Sequence, residues 1–459
     1  MRARTSTSLS ACLLFLAFGA APALADAGPE AALSSNGEIY LAQSGACRSL
    51  FAGCPPAAAN NPVLAIDVVR PGQPLERLLV PETGGPEAEG EPALLLEDST
   101  NNLFVIWESR LSGGRSRVNL AWLHEHEWSP VAEISGAIDP LKGPPQVVIT
   151  RDSYTTVADQ GALVTHQRTV LHVVWWEKSR SFEQVYYTPI VVEDGSYFGS
   201  NRVYNLTNLD SSPLPDNNAT LPANLSRSAR LEPGATSHSV VIGFVNPITH
   251  RFLTFEVQVV LGELSQLADG IAAEMLQHAD LFDGGDLVAF SDRIRSHTVE
   301  IGARLHPAVV GYVADQVAQA ILDLGGVYRG NLPELSKRIR SHTVEIGARS
   351  LEGSNAGGND HLVGGILFLD PDSSTGDVSH AIRLRQMASF PAPLVGDGTV
   401  SLLLNPDGRR AIVAWQKDDS LYYRETAETD WDITHHIAIT KKVSVELAQR
   451  VLEGRLRAR

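Results

Sequence analysis

The chain has 459 residues, 43% of them hydrophobic and 20% charged, which excludes a disordered polymer or a coiled coil and leaves ample material for a core. Its 53 Asp plus Glu against 37 Lys plus Arg give a formal charge of −16, which repels phosphate backbones and argues against nucleic acid as a partner. The 38 Gly and 26 Pro favour many turns, and therefore many strands.

Residues 1–25 read as a signal peptide: Arg2 and Arg4 precede the apolar stretch ACLLFLAFGAA, and Ala23-Leu24-Ala25 has the small-x-small pattern of a cleavage site. Cleavage near Ala25, before Asp26, implies a secreted or periplasmic protein and moves the charge from −16 to −18. A lipobox reading of Leu9-Ser10-Ala11-Cys12 fails because the apolar region follows Cys12. No later apolar run is long enough for a membrane span. In an oxidising compartment Cys47 and Cys54 are expected to form a disulfide, contributing about 2.5 kcal/mol by loop closure; two unpaired thiols are the alternative.

Residues 26–262 carry paired strand patterns. EIYLAQS with VLAIDVV comes first; LFVIWES (103–109) with RVNLAWLHE follows, then LHVVWWEKS (171–179) with EQVYYTPIV, then SVVIGFVNPITHRFLTFEV (239–257). The second and third copies align when Trp107-Glu108 is set against Trp176-Glu177, and each then reaches an aromatic turn, at Trp128 and at Tyr197-Phe198.

Between 263 and 350 the apolar period changes from 2 to 3.6, predicting an inserted four-helix unit. Its stripes are Leu264, Leu267, Ile271 and Met275; Leu287, Phe290, Ile294, Ile301 and Leu305; Val310, Val313, Val317, Ile321 and Leu324; and Leu332, Leu335, Ile339 and Ile346. Twelve residues, RIRSHTVEIGAR, occur unchanged at 293–304 and 338–349, which marks a duplicated hairpin. His297 with Glu300, and His342 with Glu345, each lie three apart, so two parallel helices at similar height would make a Zn or Fe site; packing, or self-association through 263–350, is the competing use.

Residues 351–440 return to strands, GILFLDPDSSTGDVSHAIRL and then AIVAWQKDD, SLYYRETAE and TDWDITHHIAI, with Trp415 and Trp431 in matching places. The expected fold is mainly β: a six-bladed β-propeller, five or seven blades being the alternatives, interrupted by the helical bundle. Residues 441–459 read as a basic amphipathic helix with net charge +4. Trp107-Glu108-Ser109-Arg110 followed by HEHEWSP, and EDGSYF at 193–198, resemble worn repeats of the sialidase-like (BNR/Asp-box) β-propeller superfamily, while NPDG at 405–408 resembles the turn of the TolB-type propeller repeat.

The sialidase resemblance implies glycoside hydrolysis by an arginine triad, a Tyr–Glu nucleophile pair and an Asp acid, a set these residues do not supply. Glu108, Arg110 and Glu177 are the nearest catalytic candidates, and their repeated strand-end position suits a structural role equally. Trp107, Trp176, Tyr187 and Tyr423 are candidates for a carbohydrate-stacking surface. His124 and His126 share a strand face as half of a metal site, lacking a third ligand. No GxSxG, HExxH, P-loop or dinucleotide fingerprint occurs, and no cofactor is implied. The expected role is an exported, non-catalytic propeller binding a carbohydrate, peptide or protein in its funnel, with a diverged sialidase-like hydrolase as the alternative.

Overall fold

Strands that are apolar on both faces need a sheet on either side, and that requirement organises this molecule. The computed structural model describes residues 31–438 except 53, 55, 57–58, 86–87, 91, 98–100, 112, 125–126, 136–140, 158–162, 179–182, 194–195, 200–202, 210–228, 237, 260, 303–306, 354–365, 372–377, 392–399, 405–410, 418–419 and 426–434. The segments read as a signal peptide (1–25), a basic C-terminal helix (441–459) and an NPDG turn (405–408), with His126, Trp431 and the side chains of Tyr197, Phe198, Glu345 and Trp415, lie outside the described residues.

Five antiparallel sheets succeed one another along the chain. The first joins β1 (Ala31–Leu33), β2 (Ile39–Ala46), β3 (Pro62–Val69) and β4 (Glu76–Leu79) in sequence order. The second is built on the hairpin of β7 (Asn102–Leu111) and β8 (Arg115–His124). Here β5 (Ala88–Glu89) and β6 (Ala93–Glu97) both pair with β7, and β9 (Glu127–Trp128) and β10 (Ala132–Glu133) both pair with β8. The third runs β11 (Gln146–Val157), β12 (Leu163–Lys178), β13 (Glu183–Glu193) and β14 (Ser196–Gly199), with β15 (Tyr204–Asn205) also on β13.

The fourth sheet contains β16 (Arg230–Pro233), β17 (Ser239–Asn246), β18 (Arg251–Val259), β19 (Ile366–Pro371) and β20 (Val378–Pro391) in the order β16-β17-β18-β20-β19. The fifth is β21 (Val400–Leu404), β22 (Ala411–Lys417), β23 (Ser420–Glu425) and β24 (His435–Ala438). Six strand pairs thus give five sheets among the described residues, a correction to the six-blade expectation. The fourth copy has three strands and the fifth two; a lone hairpin is marginal, and β20 gains a partner by adding to β18. The helical unit is consequently inserted inside one sheet and not between two blades.

The core follows the pleat. On β7, Leu103, Val105 and Trp107 pack toward the first sheet, while Phe104 and Ile106 pack toward the third. On β12, Leu171, Val173 and Trp175 face the second sheet, and Val170 and Val174 face the fourth. Trp107 and Trp175 are therefore the equivalent residues, each 1% exposed, and the alignment of Trp107 with Trp176 is one residue out. A slip of one position exchanges the faces of every side chain, which decides where the two glutamates point. The fifth sheet meets the fourth at Gly243, where an added Cβ would stand 2.7 Å from the Leu404 side chain.

Helix α1 (Cys47–Leu50) follows β2, and Cys47 is joined to Cys54 by a disulfide. The other helices are α2 (Leu261–Gln277), α3 (Ala279–Asp283), α4 (Leu287–Ile301), α5 (Pro307–Gly325) and α6 (Leu332–Gly353). The Asp286 carboxylate caps α4 by accepting from Ala289 N–H at 3.1 Å. The long helices form a ring in the order α2–α4–α5–α6, closed by α6 on α2; α4 and α6 are diagonal, and α2 and α6 lie against β11, β19 and β20. Leu264, Ile271, Phe290, Ile294, Val317, Ile321 and Ile339 fill the centre, each contributing about 1.5–3 kcal/mol of burial.

Candidate functional site

Three hairpin turns at one edge of the first two sheets enclose a cavity of about 430 Å³. The β1–β2 turn closes with Gly37 N–H donating to Ser34 O at 3.0 Å, and it needs glycine at Gly37, whose φ is 87°. The Ser34 hydroxyl donates to Asn36 Oδ1 and accepts from Glu38 N–H at 2.9 Å, fixing the Asn36 side chain and the Glu38 backbone at the rim. The β3–β4 turn closes with Gln73 N–H on Arg70 O at 3.2 Å, and the β6–β7 turn carries Asn101 at φ 57°, a left-handed conformation that Asn tolerates. Asn36, Arg70, Gln73 and Asn101 come from these turns; Val68, Leu78, Leu103 and Leu123 supply an aliphatic floor.

The charges at this edge bond one another, one cation between two carboxylates. The Arg70 guanidinium bonds both Glu76 and Glu38, and the Tyr40 hydroxyl donates to Glu38 Oε2 at 2.9 Å. Arg70 holds the Glu38 carboxyl below its ordinary range, and Glu76 and Glu38 raise the guanidinium's own value. Burial, then the bond to Glu38, pushes Tyr40 up to about 12, so its hydroxyl keeps its proton at all physiological pH. The cavity therefore offers amides, CH surface and a single guanidinium shared by two carboxylates, with no unpaired positive charge among them.

The gap between the second and third sheets is different in kind. Glu108 on β7 and Ser116 on β8 face the third sheet; Glu177 on β12 faces back. Between them lies Lys142, fully buried, whose Nζ stands 3.5 Å from Glu177 Oε2 and donates to Ser116 O at 3.1 Å. Arg110 Nε, at the mouth of the gap, donates to Glu108 Oε2 at 3.1 Å. Glu108 Oε1 is buried without a hydrogen-bond partner. Burial raises the carboxyls of Glu108 and Glu177 and lowers the Lys142 ammonium, with each opposite charge working against the shift.

Two breaks in the first strands close this gap. Gly90 N–H donates to Glu108 O at 2.7 Å and Gly143 N–H to Trp176 O at 2.8 Å, each glycine opening a Gly-x-Pro segment that bends the strand. A Cβ at Gly143 would lie 1.7 Å from Trp176 Nε1, so only glycine fits. Glu89 and Lys142 occupy matching places beside Ser109 and Glu177. Glu89 accepts from Trp107 Nε1 at 3.0 Å and from Ser109 Oγ at 2.6 Å.

The catalytic candidates Glu108, Arg110 and Glu177 are thus brought together, through a lysine that sequence reasoning missed. The stacking candidates are not: Trp107, Tyr187 and Tyr423 are buried in cores, and Trp176 lies half-buried against Gly143, so they form no open platform. Interior aromatic positions in both-face-apolar strands pack between sheets, and that overrides their use for stacking. His124 Nδ1 lies 2.6 Å from Asn102 Oδ1, an edge hydrogen bond. Of the metal candidates, His297 faces Glu274 of α2 at 3.8 Å, Glu300 is exposed, and His342 sits on the diagonal helix α6; among the described residues no group of three or more His, Cys, Asp or Glu is arranged for a metal. The diagonal placement of α4 and α6 explains this, because each is separated from the other by α2 and α5.

The cavity residues Asn36, Glu38, Arg70, Gln73 and Asn101 were not selected from sequence. Their signal was the turn chemistry of Asn36-Gly37 and Pro71-Gly72, within the most degenerate strand pair. No helix among the described residues is long and apolar enough to cross a membrane.

No protein-family model matches the chain, and no curated protein matches it. Among solved structures it is similar to a GH43_1 enzyme from Xanthomonas citri at a TM-score of 0.24 and 12% identity, covering 50% of this chain and 69% of that one. It is also similar to the WD40 domain of SCAP from fission yeast at a TM-score of 0.20 and 8% identity, covering 82% of this chain and 71% of that one. Similarity at this level assigns neither fold nor activity. The resemblance to Asp-box and TolB-type repeats accordingly rests on the sequence pattern.

Proposed function

We propose that this is an exported β-propeller-type protein that binds a neutral, hydroxyl-rich ligand, a carbohydrate, in the cavity between its first and second sheets, without turning it over. The carrying observation is the cavity's chemistry: amides of Asn36, Gln73 and Asn101 and the Glu38–Arg70 pair surround an aliphatic floor. Sugars present hydroxyls in a ring and CH groups on a face, and fixed amides and ion pairs supply both donors and acceptors to the former. Arg70 is outnumbered by the two carboxylates it bonds, Glu38 and Glu76, which disfavours an anionic ligand. Turns held by a rigid pair of sheets are the usual place for such recognition.

Export rests on residues 1–25, and the propeller reading on five successive sheets among the described residues, each contacting the next. Titration calorimetry of the mature protein with neutral oligosaccharides tests the function, with extended peptides as the comparison arm; binding only to peptides overturns the carbohydrate assignment.

A second reading, a diverged glycoside hydrolase, is favoured by one observation. Glu108 is a buried carboxyl with a raised proton affinity and an unbonded oxygen, as a general acid requires, and Glu177 shares its lysine. Turnover of aryl glycosides that disappears in Glu108→Gln would establish it.

A further inference from the structure

The repeated RIRSHTVEIGAR is the unchanged part of a larger duplication. Ser291 Oγ donates to Ala318 O of α5 at 2.8 Å, and Ser336 Oγ donates to Ala272 O of α2 at 3.1 Å. Arg295 pairs with Asp315 of α5, and Arg340 with Asp269 of α2. Thr298 donates to Ile294 O and Thr343 to Ile339 O. The hairpin of α2 and α4 therefore recurs as α5 and α6, and the two halves are related by a pseudo-two-fold axis along the bundle.

The two halves are covered unequally. Where α2 and α6 lie on β11, β19 and β20, Arg340 is 6% and Val344 9% exposed, while Leu276 of α2, the counterpart of Leu322, stays outside that contact at 50%. The equivalent side of α4 and α5 carries Val288, Val299, Tyr312 and Leu322, all at least 40% exposed. Along α4, Val288, Arg295 and Val299 form one stripe; along α5, Tyr312, Asp315 and Leu322 form another. Leu287 packs on Gly325 and Gly302 on Val310, so Val288 sits beside Leu322 and Val299 beside Tyr312, with the Arg295–Asp315 pair central.

We propose that this face binds a second copy of the chain about a two-fold axis parallel to the helices. That axis lays α4 of one copy on α5 of the other, so Arg295 meets Asp315 of the second copy, Val288 meets its Leu322 and Val299 its Tyr312. The argument for a second copy is complementarity: about this axis the Arg295–Asp315 pair of each chain lies against the Asp315 and Arg295 of the other, so that two intrachain pairs join into one network flanked by aliphatic and aromatic groups. The packing of α4 on α5 within the chain is the same antiparallel contact. This inference is independent of the ligand reading.

Sedimentation of the full mature chain tests it. The wild type sediments as a dimer, while Arg295→Asp and Asp315→Arg each weaken association by at least ~10-fold. Mixing the two variants in equal amounts restores a dimer, because the mixture pairs an acidic face with a basic one; that result is decisive even if one variant alone is less stable. Leu322→Asp is monomeric with unchanged helical circular dichroism. A monomeric wild type, a dimer indifferent to both charge variants, or a mixture that stays monomeric overturns the proposal.

Discussion

The gaps on the two sides of the second sheet share their ingredients and differ in access. On the first-sheet side, Arg70 stands between Glu38 and Glu76 at the rim of an open cavity, every charge directly bonded. On the third-sheet side, Lys142 stands between Glu177 and Glu108 with no solvent contact, behind Gly90 and Gly143, and one carboxyl oxygen has no bond. The two also lie at opposite ends of β7, the cavity at Asn101–Leu103 and the buried cluster at Glu108–Arg110. Charge held at turns is available to a ligand; charge held between sheets acts on stability and register.

The largest break in that contrast is Lys142→Met. It leaves Glu177 buried without its cation, and chemical denaturation is expected to show a loss of about 3–5 kcal/mol. Arg70→Met is the opposite case: its pairs are part-exposed, so stability changes by no more than about 1 kcal/mol. Affinity for a bound saccharide should nonetheless fall by ~10-fold or more, because a charge-assisted bond and the setting of Glu38 are both lost. Trp107→Phe removes the indole bond to Glu89 and is expected to cost about 1–3 kcal/mol, leaving ligand affinity unaltered.

The smallest effect is the pH response of the buried cluster. Glu108 and Glu177 hold their protons more tightly folded than unfolded, so stability falls as pH rises from the ordinary glutamate value through the raised folded values, and levels off above them. Melting temperatures across that window should decline less in Glu108→Gln than in the wild type. Glu38 has the reverse sign: its lowered value adds stability above the ordinary glutamate range, lost as pH falls through the folded value, and Glu38→Gln removes that part.

Much of the architecture was legible in the sequence because periodicity records burial. The both-face-apolar β7 and β12 announced sheets covered on two sides, and the stripes from Leu264 to Ile339 are the bundle core. The register was not legible: WWE at 175–177 offers two alignments with WE at 107–108, and only the packing of Trp175 toward the second sheet chooses between them. The same choice aims Glu177 at Lys142, a residue in a segment with no strand pattern. The merging of the fourth and fifth copies depended on strand supply, which local pattern does not report. The cavity was hidden because its residues sit in three turns distant in sequence, and turns carry no periodicity to follow.

The most direct test of the central claim is calorimetric titration of the mature protein with neutral oligosaccharides of glucose, xylose and N-acetylglucosamine, comparing the wild type with Arg70→Met, Asn36→Ala and Glu108→Gln. The account predicts saturable binding at one site that is weakened by the two cavity substitutions and retained in Glu108→Gln. Binding that ignores Arg70 and Asn36, or no binding of any neutral saccharide, would contradict it.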